Sequence, residues 1–135
     1  MRAITEKLHI TKVHVESVEE IIPKLGGDVQ IVSAECWEAV AFAALLALRS
    51  FERKTNHART LGGELLIRLA GTLQIKDAIA QNGMKRGENY LVVFGTRERA
   101  LKILQEFGLR ELPLTECNRE KVKTFFEKAA LVEVL

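Results

Sequence analysis

Residues 39–48 read Ala-Val-Ala-Phe-Ala-Ala-Leu-Leu-Ala-Leu, an unbroken apolar run. A helix of that composition is apolar on every side and must be surrounded by other structure. It would be only about 15 Å long, roughly half of what a bilayer core needs, so it predicts a central buried helix in a globular domain. A second run, Tyr90-Leu91-Val92-Val93-Phe94, has strand length and lies between turn residues. It reads as a central strand covered on both faces. A helix and a strand that both demand cover point to one sheet packed with helices.

The remaining elements are shorter. Leu8 to Val15 alternates with a phase shift between Ile10 and Val13, which a bulge near Thr11-Lys12 explains. Ser17 to Leu25 reads as a short helix stopped by Gly26-Gly27, and Val29 to Val32 as a strand. Ser33 is placed to cap the long helix, which should run to about Lys54. After a loop at 57–60, Glu64 to Ala70 is helical by composition. Thr72 can then cap a helix over 73–81 whose Ile75, Ala78 and Ile79 form one face. Thr96 caps a helix with an Ala100, Leu101, Leu104 and Phe107 stripe that stops at Gly108. Leu109 to Leu114 suits an edge strand, because Pro113 cannot donate to a ladder. Asn118 caps a last helix, and Ala130 to Leu135 reads as a closing strand. The order β-α-β-α-α-β-α-β-α-β over residues 1–135 implies a single compact domain. Its class is α/β or α+β, with one mixed or antiparallel sheet of about four to five strands.

Net charge is +2, but it is unevenly distributed. Residues 1–48 carry −3, residues 49–102 carry +6 and residues 103–135 carry −1. No apolar stretch has membrane-spanning length, and Glu6 and Lys7 fall where a signal peptide needs an apolar core. Cys36 and Cys117 are too few for a disulfide framework, so reduced thiols in the cytoplasm are the expectation.

No enzyme signature is present. His9, His14, His57 and the cysteines lack metal-ligand spacing, and His9 and His14 fall on opposite faces of a regular strand. Cys36 at a helix start could have a lowered thiol pKa, though a packing role is the simpler expectation. The glycine pairs continue into neither a dinucleotide nor a P-loop pattern. No cofactor is expected.

The basic middle is the remaining signal. Arg59, Arg68, Lys76, Lys85 and Arg86 could gather into a phosphate-binding surface, or simply complement helix dipoles and keep the chain in solution. No aromatic residue lies between Phe51 and Tyr90, so the usual stacking platform for single strands is missing. Arg68 sits in an apolar helix four residues after Glu64, where an ion pair is the local alternative to a ligand contact.

The segment from Gly63 to Ile79 resembles the signature of the small kinase-binding subunit of the archaeal and eukaryotic KEOPS complex (the PRPK-binding protein family), archaeal type. Glu64, Leu65, Leu66, Arg68, Ala70, Gly71, Gln74, Ile75, Ala78 and Ile79 match in place, while Leu73 stands where the family pattern has arginine. The resemblance extends more loosely over the rest of the chain. It implies a non-catalytic subunit that binds the complex's atypical kinase/ATPase. It also implies recruitment of tRNA through the 3′ CCA end for threonylcarbamoyladenosine formation at adenosine 37. The expected RNA contacts are Arg59, Arg68, Gln74, Lys76, Lys85 and Arg86, with Gln74 able to read a base edge or hydroxyl because its amide both donates and accepts.

Overall fold

A computed structural model describes residues 1–134. Its sheet is built around one long pair, β2 (Leu8–Val15) against β4 (Gly87–Val93). They run antiparallel without a break, from His9 opposite Val93 to Val15 opposite Gly87. β1 (Arg2–Thr5) folds back on the first half of β2, and β5 (Glu111–Leu112) pairs with its second half at Lys12 and Val13. β3 (Val29–Val32) lies on the far side of β4. All the pairings are antiparallel, and with the helices they make an α+β domain.

Both faces of the sheet are covered, by different helices. Leu8, Ile10, Tyr90 and Val92 pack against α2 (Trp37–Glu52) and α3 (Leu61–Ala70). Ala78 of α4 (Ile75–Asn82) and Val132 of α6 (Arg119–Val134) join that core. On the opposite face Val13, Val15, Ile31, Leu91 and Val93 pack against Ile21 of α1 (Val18–Ile21) and Ala100, Ile103 and Leu104 of α5 (Arg97–Phe107). The apolar run at 90–94 takes the central place its composition demands, but the run at 39–48 is covered only over its alanines and Val40: Leu45 is exposed, and Phe42, Leu46 and Leu48 are half-buried.

Several expectations are corrected. The shift along β2 is not a bulge at Thr11-Lys12, since its register with β4 is continuous. It arises because Leu8 and Ile10 face one core and Val13 and Val15 the other. α2 is capped at Cys36 rather than Ser33, and α3 begins at Leu61, three residues before Glu64. α4 starts at Ile75 with Gln74 at the cap, and Thr72 Oγ1 accepts from the Gln74 N–H at 3.1 Å. Of the supposed inner faces, Ile75, Ile79 and Leu101 are exposed, and Ile103 fills the core position in α5. The strand expected over 130–135 is instead the end of α6, which continues to Val134; Leu135 lies outside the described residues. β1 was not expected from the sequence.

The cysteines are also corrected. Cys36 and Cys117 are bonded to each other across 81 residues, with Cα atoms 5.0 Å apart. Local hydrogen bonds bring them together. The Trp37 N–H donates to Thr115 O at 2.9 Å, and the Cys117 N–H donates to Glu38 Oε1 at 3.0 Å. No helix among the described residues is long and apolar enough to cross a membrane.

Candidate nucleic-acid interface

The start of α3 is where the sequence signature becomes geometry. Thr60 caps the helix, its Oγ1 accepting from the Gly63 N–H at 3.0 Å. Glu64, one turn in, is fully buried. Its Oε2 accepts from Arg68 Nε at 2.8 Å, while its Oε1 accepts the backbone N–H groups of both His57 and Ala58, each at 2.8 Å. The loop before α3 therefore hangs from one carboxylate, whose charge is balanced by the equally buried Arg68. Gly63 lets that loop lie close: a Cβ there would sit 3.2 Å from both Ala58 Cβ and Thr60 Oγ1. The glycine pair is thus a packing device rather than a phosphate cradle.

Held this way, the loop forms one side of a cleft of about 320 Å³. His57 and Arg59 line it from the loop, Leu73 and Ile75 from the α3–α4 junction, and buried Ile67 closes it below. Leu73 and Ile75 are 39% and 45% exposed and line the cleft together with Arg59 and His57, so apolar and basic side chains share it. A neighbouring groove of about 390 Å³ shares Thr60 and is lined by Ile22, Gln30, Ile79 and Met84. Together the two depressions flank α4 along its length.

The expected contact residues separate into three groups. Arg59 lies in the cleft, with exposed Gln74 and Lys76 beside it at the α4 N-terminus. Lys85 and Arg86 are exposed in the turn after α4, which Asn89 secures through bonds with Lys85 N, Lys85 O and Gly87 O. Eight residues of helix separate that turn from Gln74, about 12 Å. Arg68 is not at the surface: it has 0% exposure and takes the ion-pair alternative with Glu64. Farther along the basic middle, Arg99 is engaged by Asp28 at 2.9 Å, and that hydrogen bond raises its pKa above the ordinary value. His9 donates from Nδ1 to Gly95 O, the only arrangement a carbonyl partner permits. Among the described residues no three His, Cys, Asp or Glu side chains gather where they could hold a metal ion.

The chain is 43% identical over 134 residues to the KEOPS complex subunit Cgi121 of Pyrococcus abyssi, a match covering 96% of this chain and 78% of that protein. It belongs to the Cgi121 family. No family model matches the chain. The segment 63–79 that carries the resemblance lies at the cleft, but its charged pair, Glu64 and Arg68, is buried and does not line it. Sequence reasoning missed the lining residues His57, Leu73 and Ile75 as a group. From the sequence Ile75 reads as part of an inner face, while Leu73 stands out only as the position where the resemblance has arginine, itself a sign of a surface position.

Proposed function

We propose that this protein is a non-catalytic KEOPS subunit that presents the 3′ CCA end of tRNA for threonylcarbamoyladenosine formation and docks on the complex's kinase/ATPase. The observation that carries the RNA part is the cleft itself, where His57 and Arg59 share the lining with exposed Leu73 and Ile75. An unpaired 3′ end offers bases that need an apolar or planar surface and phosphates that need cations. Leu73, Ile75 and the His57 ring take a base, Arg59 and Lys76 meet phosphates, and the Gln74 amide hydrogen-bonds a base edge or a ribose hydroxyl. Without aromatic stacking beyond His57, affinity rests mainly on the phosphates and is strongly salt-dependent. Arg68, buried, contributes by holding Glu64 rather than by touching RNA. Lys85 and Arg86 lie where a strand passing Thr60 and Ile79 would emerge.

The test is titration of the protein with single-stranded RNA ending in CCA at several salt concentrations. Arg59→Ala should lower affinity and reduce the log–log salt slope by about 0.7, as expected for one lost phosphate contact on a single strand. An unchanged slope would remove Arg59 from the interface.

A second reading, a protein-interaction module without RNA contact, draws on a different surface. A groove of about 640 Å³ lies between the β1–β2 turn and α2, lined by Glu6, Lys7, Phe42, Leu45 and Arg49. Leu45 is 40% exposed there, and the ring of Phe126, 42% exposed, lies 4.1 Å from that of Phe42. In the favoured reading this groove receives the kinase while the cleft receives RNA. Leu45→Asp should then abolish kinase capture and leave RNA affinity unchanged, because the two sites share no residue.

A further inference from the structure

The segment joining β5 to α6 is fastened to the start of α2 at several points. Besides the Trp37–Thr115 and Cys117–Glu38 bonds, Lys12 Nζ donates to Thr115 Oγ1 at 2.7 Å, and the Thr115 N–H donates to the Tyr90 hydroxyl at 3.2 Å. The Cys36–Cys117 bond closes this seam covalently. α6 starts immediately after it and packs along α2 and α3. Near its far end α6 reaches the turn that feeds the cleft. Gly71 ends α3 with φ of +72°, and a Cβ there would lie 3.0 Å from Lys128 Cβ and 3.2 Å from Lys128 O. The backbone of α6 thus presses directly on the turn leading to Leu73 and Gln74.

We propose that Cys36–Cys117 is a redox site: closed, it clamps α6 onto α2 and α3 and stiffens the 71–74 turn; open, it releases both. The two sulfurs are unequal. Cys36 is 1% exposed, whereas Cys117 is half-buried and is the one an incoming thiolate can reach. A thiolate of a dithiol reductant attacks Cys117 Sγ, and the disulfide breaks with Cys36 leaving as a thiolate. Cys36 caps the N-terminus of a sixteen-residue helix, whose unpaired N–H groups stabilise that charge and so favour departure. The reductant's second thiol then displaces Cys117. Two electrons and two protons pass to the protein, giving two Cys thiols and one oxidised reductant. A small-molecule disulfide such as oxidised glutathione runs the steps in reverse and leaves as two thiols.

The inference concerns α6 and holds whether or not the cleft binds RNA, so its test needs no nucleic acid. The full chain is compared after treatment with oxidised glutathione and after dithiothreitol, with thiols counted by alkylation and mass, and backbone hydrogen exchange followed by peptide. The oxidised protein should yield no alkylatable thiol when denatured, and the reduced protein two. Reduction should speed exchange in 119–134 and in 71–75 at least ten-fold more than in β2 and α5, whose exchange follows global stability. Cys117→Ser should exchange like the reduced protein with or without dithiothreitol. Should that variant fold poorly, the reduced natural chain supplies the same comparison. Thiols that fail to pair under oxidised glutathione would overturn the proposal. So would exchange in α6 that is indifferent to reduction, or a rise in α6 no larger than the rise in β2 and α5.

Discussion

At the residue scale the central unit is Glu64 with its three hydrogen-bonded partners. Its carboxylate is fully buried, and removing it takes from Arg68 a 2.8 Å charge-assisted hydrogen bond in the core. Glu64→Ala should cost about 3–5 kcal/mol, as for other broken buried pairs, measured by urea denaturation. The Glu64→Gln variant keeps an acceptor for the His57 and Ala58 N–H groups and should lose less than Glu64→Ala. If Glu64→Gln loses as much as Glu64→Ala, the charge pairing with Arg68 matters more than the loop bonds to His57 and Ala58. Half of this unit was legible in the sequence: four residues along an apolar helix, an acid and a base can pair. The bonds to His57 and Ala58 were not, because they cross from helix to loop, and spacing rules say nothing about where an irregular segment returns. The same limit hid the cysteine pair, which is joined by folding rather than by any spacing between positions 36 and 117.

At the element scale, the four-residue β3 was legible in place, while segments of ambiguous pattern were not. α2 and β4 follow from composition, β4 as a strand covered on both faces and α2 as a helix whose cover is incomplete at Leu45. The end of α6 does not, since a six-residue apolar stretch suits either a strand or a helix. Tertiary packing decides it: Val132 is fully buried in the core shared with α2 and α3. β1 is mostly exposed and gains its place only by pairing with β2. Two outcomes belong to this scale. Gly71→Ala combines a left-handed backbone with a Cβ pressed on Lys128, so it should lower stability by at least about 1–2 kcal/mol, read as a fall in thermal midpoint. Reducing the disulfide frees a loop of about 80 residues in the unfolded chain, for which chain entropy alone gives about 4–5 kcal/mol of lost stability. Denaturant midpoints with and without dithiothreitol check the second, and equal midpoints would mean that the bond does not form.

At the scale of the whole molecule, charge sums proved less useful than placement. The central third carries +6, yet Arg68 is buried and Arg99 is bound to Asp28, so its cations are not one uniform surface. What remains is a cleft lined by Arg59, His57, Leu73 and Ile75, and a basic turn at Lys85-Arg86 at the other end of α4. Family membership at 43% identity makes the chain a KEOPS subunit, and the proposed RNA role rests on this arrangement. The separate groove beside α2 leaves room for a protein partner at the same time. Binding of one tRNA with its CCA end intact, compared with the same tRNA lacking those three nucleotides at equal salt, tests the central claim most directly. The account expects affinity to fall at least ten-fold on truncation, and the Arg59→Ala protein to lose most of that difference. Equal affinity for the two tRNAs would contradict it.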